Sequence, residues 1–100
     1  MRLHGIEFPS DEIASFCRRH GVTRLALFGS ILREEFGPES DIDVLIEFAP
    51  GRTPGFFAFA GMQLELTKLL GRRTDLRTPN DLSTYFRDSV VRGSLVQYAA

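Results

Sequence analysis

The chain has one cysteine, no long apolar run and almost no excess charge, and each scarcity removes a class of function. Cys17 alone cannot close an internal disulfide or supply a cysteine-based zinc site, and it reads as a small buried residue on a helix. No stretch approaches the ~20 apolar residues that a membrane span requires. The opening residues, MRLHGIEFPSDE, lack the charged start and apolar run of a secretory signal, so a cytoplasmic location without a membrane partner is expected. With 12 Lys and Arg against 13 Asp and Glu the net charge is −1, which predicts no direct nucleic-acid partner. Repeats and low-complexity segments are also missing. What remains is ordinary globular usage, 43% hydrophobic and 25% charged. A chain of this size buries roughly two-thirds of its unfolded surface, enough for one core. Residues 1–100 are expected to form a single domain with no separate acceptor-binding domain.

Pattern and punctuation divide the chain into alternating elements. Ser10-Asp11-Glu12 opens a helix carrying Ile13, Phe16 and Cys17, and Gly21 ends it after Arg18-Arg19-His20. His20 reads as a polar group at that helix end. Val22–Phe28 is short, apolar and glycine-bounded, which predicts a buried strand. Ser30 to Glu35 is expected to be a short helix, and Phe36 to Ser40 a turn. Ile42–Phe48 predicts a second strand with Ile42, Val44 and Ile46 on one face and Asp43, Leu45 and Glu47 on the other. After the breaker-rich Ala49–Gly55, the segment Phe56 to Leu70 has a broadly helical pattern. Phe56, Phe59, Ala60, Leu64, Leu66 and Leu70 are read as its core set. Arg72 to Thr78 predicts a polar edge strand. Pro79-Asn80-Asp81 predicts a final helix running to about Tyr98, with Leu82, Tyr85, Phe86, Val90, Val91, Leu95 and Val96 as its apolar set. The order implies an α/β (α+β) fold: a small mixed sheet of three to four strands with helices packed on one face.

The segment LALFGSILREEFGPESDIDVLIEF carries the chemistry. Residues two apart on a strand face the same side with Cα atoms about 6.6 Å apart, so Asp41 and Asp43 can aim at one point. Two such carboxylates repel each other and lose hydration unless a positive charge compensates. A divalent ion with all-oxygen ligation, Mg²⁺, suits them, because it takes one or two carboxylates and completes its shell with phosphate and water. Gly29 permits a tight turn and a close approach to phosphate, and Ser30 at a helix start offers its hydroxyl and free N–H groups to an anion. Arg33, one helical turn on, supplies a fixed positive charge for a triphosphate. Asp75, between Arg72-Arg73 and Arg77, is the candidate third carboxylate, for a second metal or as base. Its alternative reading is an ordinary edge-strand salt bridge.

In these motifs the chain resembles the minimal nucleotidyltransferase (MNT) domain of the polymerase-beta-like nucleotidyltransferase superfamily. The resemblance runs from VTRLALFGS through SDIDVLIEF to RRTDLRTPNDLSTYFRDSVV, nearly the whole chain. It implies the nucleotidyltransferase fold, with nucleotide phosphates on Gly29 and Ser30 and Mg²⁺ on Asp41 and Asp43. Asp75 matches the third aspartate, and Arg33 the arginine usual after the serine. Ile31 and Leu32 stand where the family often has an arginine and a small residue, and Glu34 where a glycine is common. Those changes spare the metal ligands but weaken the expected triphosphate grip, or give Ile31 and Leu32 a packing role. Thr74 replaces the usual apolar residue before the third aspartate.

Single-domain MNT proteins are typically antitoxins paired with a HEPN-domain ribonuclease toxin. The resemblance therefore implies transfer of AMP from ATP onto a toxin hydroxyl, typically a tyrosine's, with the partner completing the acceptor site. The alternative is a non-catalytic antitoxin that neutralises its partner by binding alone. An enzyme acting on a small molecule or an RNA end is a further reading, disfavoured by the missing acceptor domain. A purely structural interaction protein is the last.

Overall fold

The computed structural model describes all 100 residues. Two short strands, β1 (Arg2–Leu3) and β2 (Ile6–Glu7), form a hairpin ahead of helix α1 (Ser10–His20). Strand β3 (Val22–Phe28), a 3-10 turn (Gly29–Leu32) and strand β4 (Ile42–Phe48) follow. Helix α2 (Phe56–Leu70) crosses to strand β5 (Thr74–Arg77). A second 3-10 turn (Pro79–Asp81), the short helix α3 (Arg87–Gly93) and strand β6 (Leu95–Ala99) complete the order.

The main sheet has the order β5-β4-β3-β6. β3 is antiparallel to both neighbours, β4 and β6, while β4 and β5 are parallel. The parallel pair needs a crossover, and α2 provides it. The small mixed sheet expected from the element order is therefore present, with four strands.

Alternation sorts the strand residues by face. Ile42, Val44 and Ile46 of β4 join Leu25 and Leu27 of β3 and Leu76 of β5 in one buried cluster. α1 adds Ile13, Phe16 and Cys17 to that cluster, and α2 adds Met62, Leu66 and Leu70. The two long helices thus cover one sheet face, as expected, and burial pushes the Cys17 thiol up to about 12, so it stays protonated. Glu65 of α2 ties the helices together through an ion pair with Arg19, and His20 Nε2 lies 2.9 Å from Glu65 Oε1. Phe16 has no exposed surface, and Phe16→Ala is expected to cost about 3–5 kcal/mol of stability, measured by urea unfolding.

β5 is an edge strand whose outward N–H groups are capped from the side. Gln63 Oε1 accepts from Leu76 N–H at 3.0 Å, and Thr67 Oγ1 accepts from Thr74 N–H at 3.1 Å. The two capping residues lie four apart on α2, one turn of the same helix face. Such capping closes an edge that would otherwise present unpaired donors.

Four expectations fail here. The final helix, expected from Pro79 to about Tyr98, spans only Arg87–Gly93: Pro79–Asp81 is a separate 3-10 turn, and Leu95 to Ala99 form a strand antiparallel to β3. Val96, Gln97 and Tyr98 suit a pleated surface, and a pairing partner some 70 residues away decides the conformation. Tyr85 and Phe86, read as part of that helix's apolar set, are 91% and 64% exposed. Phe56, Ala60 and Leu64, read as core of α2, are exposed, Phe56 by 82%, whereas Met62 is buried in their place. The helix expected over Ser30 to Glu35 is a 3-10 turn confined to Gly29–Leu32.

Candidate functional site

The antiparallel register pairs Phe28, the last residue of β3, with Asp43 near the start of β4. The chain therefore turns away at Gly29 directly against the Asp43 side chain. Gly29 has φ +77°, and a Cβ built there would lie 2.4 Å from Asp43 Oδ2. Only glycine allows this approach without displacing the carboxylate.

β4 places buried Ile42 on the core side, so Asp41 and Asp43 flank it on the other side. The parallel register sets Asp75 beside Asp43 and Thr74 beside Ile42. Thr74 is buried with Ile42, which turns Asp75 to the face opposite the two long helices. Asp41, Asp43 and Asp75 thus lie together at one end of the sheet beside the Gly29 turn.

Partial burial pushes the Asp43 carboxyl above its usual range, and the negative charges of Asp75 and Asp41 push it further in the same direction. Arg77 and Arg33 oppose this only in part. Each neighbouring carboxylate has an arginine: Arg73 Nε lies 3.7 Å from Asp41 Oδ2, and Arg77 holds Asp75 Oδ2 at 3.1 Å. The salt bridge weighed for Asp75 is therefore real, and it coexists with the position beside Asp43.

A cation at Asp41 and Asp43 would relieve the repulsion at Asp43, and the all-oxygen donors fit a hard divalent ion. No group of three or more acidic, histidine or cysteine side chains is arranged to hold a metal ion, so the protein's own contribution to such an ion would be the Asp41 and Asp43 carboxylates.

The phosphate side differs from the expected helix start. Ser30 lies within the 3-10 turn, and its carbonyl accepts from Arg33 N–H at 2.9 Å. Arg33 is extended (φ −119°, ψ 160°), and its Nε sits 3.8 Å from Glu35 Oε1. The one-turn helical relation between Ser30 and Arg33 is therefore not formed. Arg33 still borders Gly29, Phe28, Leu32, Val90 and Gly93 around a cavity of about 230 Å³.

Packing explains why the helix does not propagate. Ile31 and Phe36 are buried while Leu32 to Glu35 between them are exposed, so both ends of the segment are anchored in the core and its middle faces outward. Ile31 has the packing role its departure from the family pattern suggested, while Leu32 stays 40% exposed. His4, in the β1–β2 turn, places Nε2 3.0 Å from the Ile31 carbonyl and stacks on Phe36 at 4.8 Å. Arg72 covers the Phe36 ring at 4.7 Å and donates to the carbonyls of Ser40 (3.0 Å) and Gly37. These supports were not identified from the sequence; the arginines around Asp75 were visible there, but His4 carried no signal.

The three carboxylates line none of the four principal hollows. All three are half-exposed.

A model of the nucleotidyltransferase domain family matches residues 11–96. A Methanocaldococcus jannaschii protein provisionally named a protein adenylyltransferase is 36% identical over 89 residues, covering 80% of this chain and 89% of that one. Protein adenylyltransferase MntA of Thermococcus cleftensis is 34% identical over 74 residues, covering 74% of this chain and 73% of its own length. Among solved structures, one described as a minimal nucleotidyltransferase superposes with TM-score 0.71 at 36% identity, over 86% of both chains. Another, the MNT antitoxin bound to the tri-AMPylated HEPN toxin of Shewanella oneidensis, superposes with TM-score 0.62 at 20% identity, over 91% and 70% of the two chains. The last likeness concerns the fold alone. No helix of the chain is long and apolar enough to cross a membrane.

Proposed function

This chain belongs to the nucleotidyltransferase domain family, and from that membership we propose that it transfers AMP from ATP onto a hydroxyl, typically a tyrosine's, of a HEPN-domain toxin and so acts as its antitoxin. The observation that carries this reading is the meeting of Asp41, Asp43 and Asp75 beside the Gly29 turn. Relatives named protein adenylyltransferases, and a similarly folded antitoxin bound to an AMPylated toxin, support the choice of donor and partner. The half-exposed position of the carboxylates leaves them accessible to an acceptor carried by a second protein.

In this reading Gly29, Ser30 and Arg33 bind the phosphates, Asp41 and Asp43 would hold Mg²⁺, and Asp75 takes the second of the two roles open to it, that of base. The metal would supply charge neutralisation at the phosphates. The acceptor oxygen forms a bond to the α-phosphorus as the bond from that phosphorus to the pyrophosphate oxygen breaks. Pyrophosphate leaves, and the hydroxyl proton passes to Asp75. The protein contributes chiefly orientation and fixed charge.

Incubation with Mg²⁺, α-labelled ATP and a HEPN-domain partner tests the proposal. Label on the partner, dependent on the aspartates, supports it; tight association without label replaces it with neutralisation by binding alone. Asp75→Asn should lower transfer by roughly 10²-fold or more, the scale of a lost general base. Nucleotide binding, followed by a fluorescent ATP analogue, should survive; equal loss of binding and transfer would argue against the base role.

A further inference from the structure

Asp75 has one orienting partner. Arg77, two residues further along the same strand, donates from Nε to Asp75 Oδ2 at 3.1 Å, and its Nη2 lies 3.1 Å from the same oxygen as an ion-pair contact. No other hydrogen-bond donor engages this carboxylate. Both side chains stand on the same strand face, Asp75 beside Asp43 and Arg77 beside Leu45 in the parallel register.

The pair differs from its neighbour at Asp41. Arg73 makes one contact there at 3.7 Å and is 84% exposed, as a loose surface ion pair would be. Arg77 sets two nitrogens of one rigid guanidinium against one oxygen, with a hydrogen bond from Nε, which favours one carboxylate orientation and not merely a sign of charge. A half-exposed aspartate without such a fork has rotational freedom about its side-chain bonds. With the fork in place Oδ2 is engaged and Oδ1 is left free of any protein partner.

We propose that Arg77 is a positioning residue for the transfer reaction: it locks Asp75 through Oδ2 so that Oδ1 is the oxygen offered to the acceptor hydroxyl. The proposal rests on the reading of Asp75 as the proton acceptor. It assigns Arg77 no contact with nucleotide, which separates it from a phosphate-binding arginine. An ordinary edge-strand ion pair would instead leave catalysis unaffected.

The test compares wild type, Arg77→Ala, Arg77→Gln, Arg77→Lys and Asp75→Asn for transfer rate, for the Kd of a fluorescent ATP analogue with Mg²⁺, and for Tm. Arg77→Ala and Arg77→Gln are expected to lower kcat by about 10–100-fold, the range for losing a group that orients a site residue. The nucleotide KM and Kd should stay within about twofold, because the phosphates do not use Arg77. Arg77→Lys, which keeps the charge and loses the fork, should recover little of the rate. Full activity in Arg77→Gln, or full recovery in Arg77→Lys, overturns the proposal. So does a rise in Kd matching the loss of kcat/KM, which would make Arg77 a nucleotide ligand. Arg77→Gln matching wild type while Asp75→Asn is inactive would sink the positioning role alone. Wild-type activity in Asp75→Asn would sink the underlying reading as well.

Discussion

An Asp41→Asn/Asp43→Asn chain is expected to lose AMP transfer by roughly 10³-fold or more, about 4 kcal/mol of transition-state stabilisation. The two carboxylates are the only acidic groups on β4's site-facing side next to the Gly29 turn, and an amide binds a divalent ion far less well than a carboxylate. Label transfer to the partner is the measurement, and transfer at wild-type rate would sink the metal-ligand assignment. Stability should move the opposite way. Folding raises the Asp43 pKa, so the folded state is favoured while Asp43 is protonated, and that advantage is lost as pH rises from the ordinary carboxylate range through the raised value. At neutral pH the ionised group is therefore a burden on the fold. Asp43→Asn alone should raise Tm at pH 7 without metal, and the gain should shrink as pH falls below the ordinary carboxylate range. Mg²⁺ with nucleotide should raise Tm in wild type and much less in the variant.

Gly29→Ala is expected to be nearly as damaging through a different cause. The left-handed backbone at φ +77° costs an alanine about 1–2 kcal/mol. The added methyl also meets Asp43 Oδ2 at 2.4 Å, so the carboxylate must leave the position it shares with Asp41 and Asp75. Transfer should fall by roughly 10²-fold or more, since misplacing a reacting or positioning group by about 1 Å costs on that scale. Gly71→Ala separates the two causes. Gly71 has φ +69° with nothing within 4 Å of a built Cβ, so it bears the backbone strain without a collision. It should lose stability by a similar amount and keep its transfer rate. Equal loss of activity in both variants would mean that strain alone, and not contact with Asp43, explains the effect.

Both variants act on features that the sequence makes legible. Val22–Phe28, Ile42–Phe48 and Phe56–Leu70 are each bounded by glycine, aspartate or a breaker-rich loop, and all three elements form where those signals predict. The carboxylate pairing of Asp43 with Asp75 follows from strand alternation once the two strands are parallel. What the sequence hides is set by distant partners. Leu95 to Ala99 carry apolar residues compatible with a helix, and only β3 makes them a strand. Ser30 to Glu35 has helix-forming composition, yet buried Ile31 and Phe36 and the supports from His4 and Arg72 hold it as a turn and loop. Phe56 and Phe57 belong to a helical pattern but lie at the exposed start of α2, where hydrophobicity no longer reports burial. The arginines that accompany Asp41 and Asp75 are visible in RRTDLRT, but their assignment to particular carboxylates needs the register.

The order in which the strands pair also divides the site in time. Gly29, Asp41 and Asp43 lie on or beside neighbouring antiparallel strands with a short separation in sequence, so the entropy of bringing them together is modest. Asp75 reaches Asp43 only after the α2 crossover has been made and β5 has docked in parallel, the slower kind of pairing. Contact order therefore favours Gly29, Asp41 and Asp43 coming together before Asp75 joins them. Loosening β5 from the folded protein would reverse only the second event. The Gln63 and Thr67 caps that hold β5 at the sheet edge thereby also keep Asp75 beside Asp43, and local opening at that edge would separate the two while leaving Gly29 and Asp43 in place.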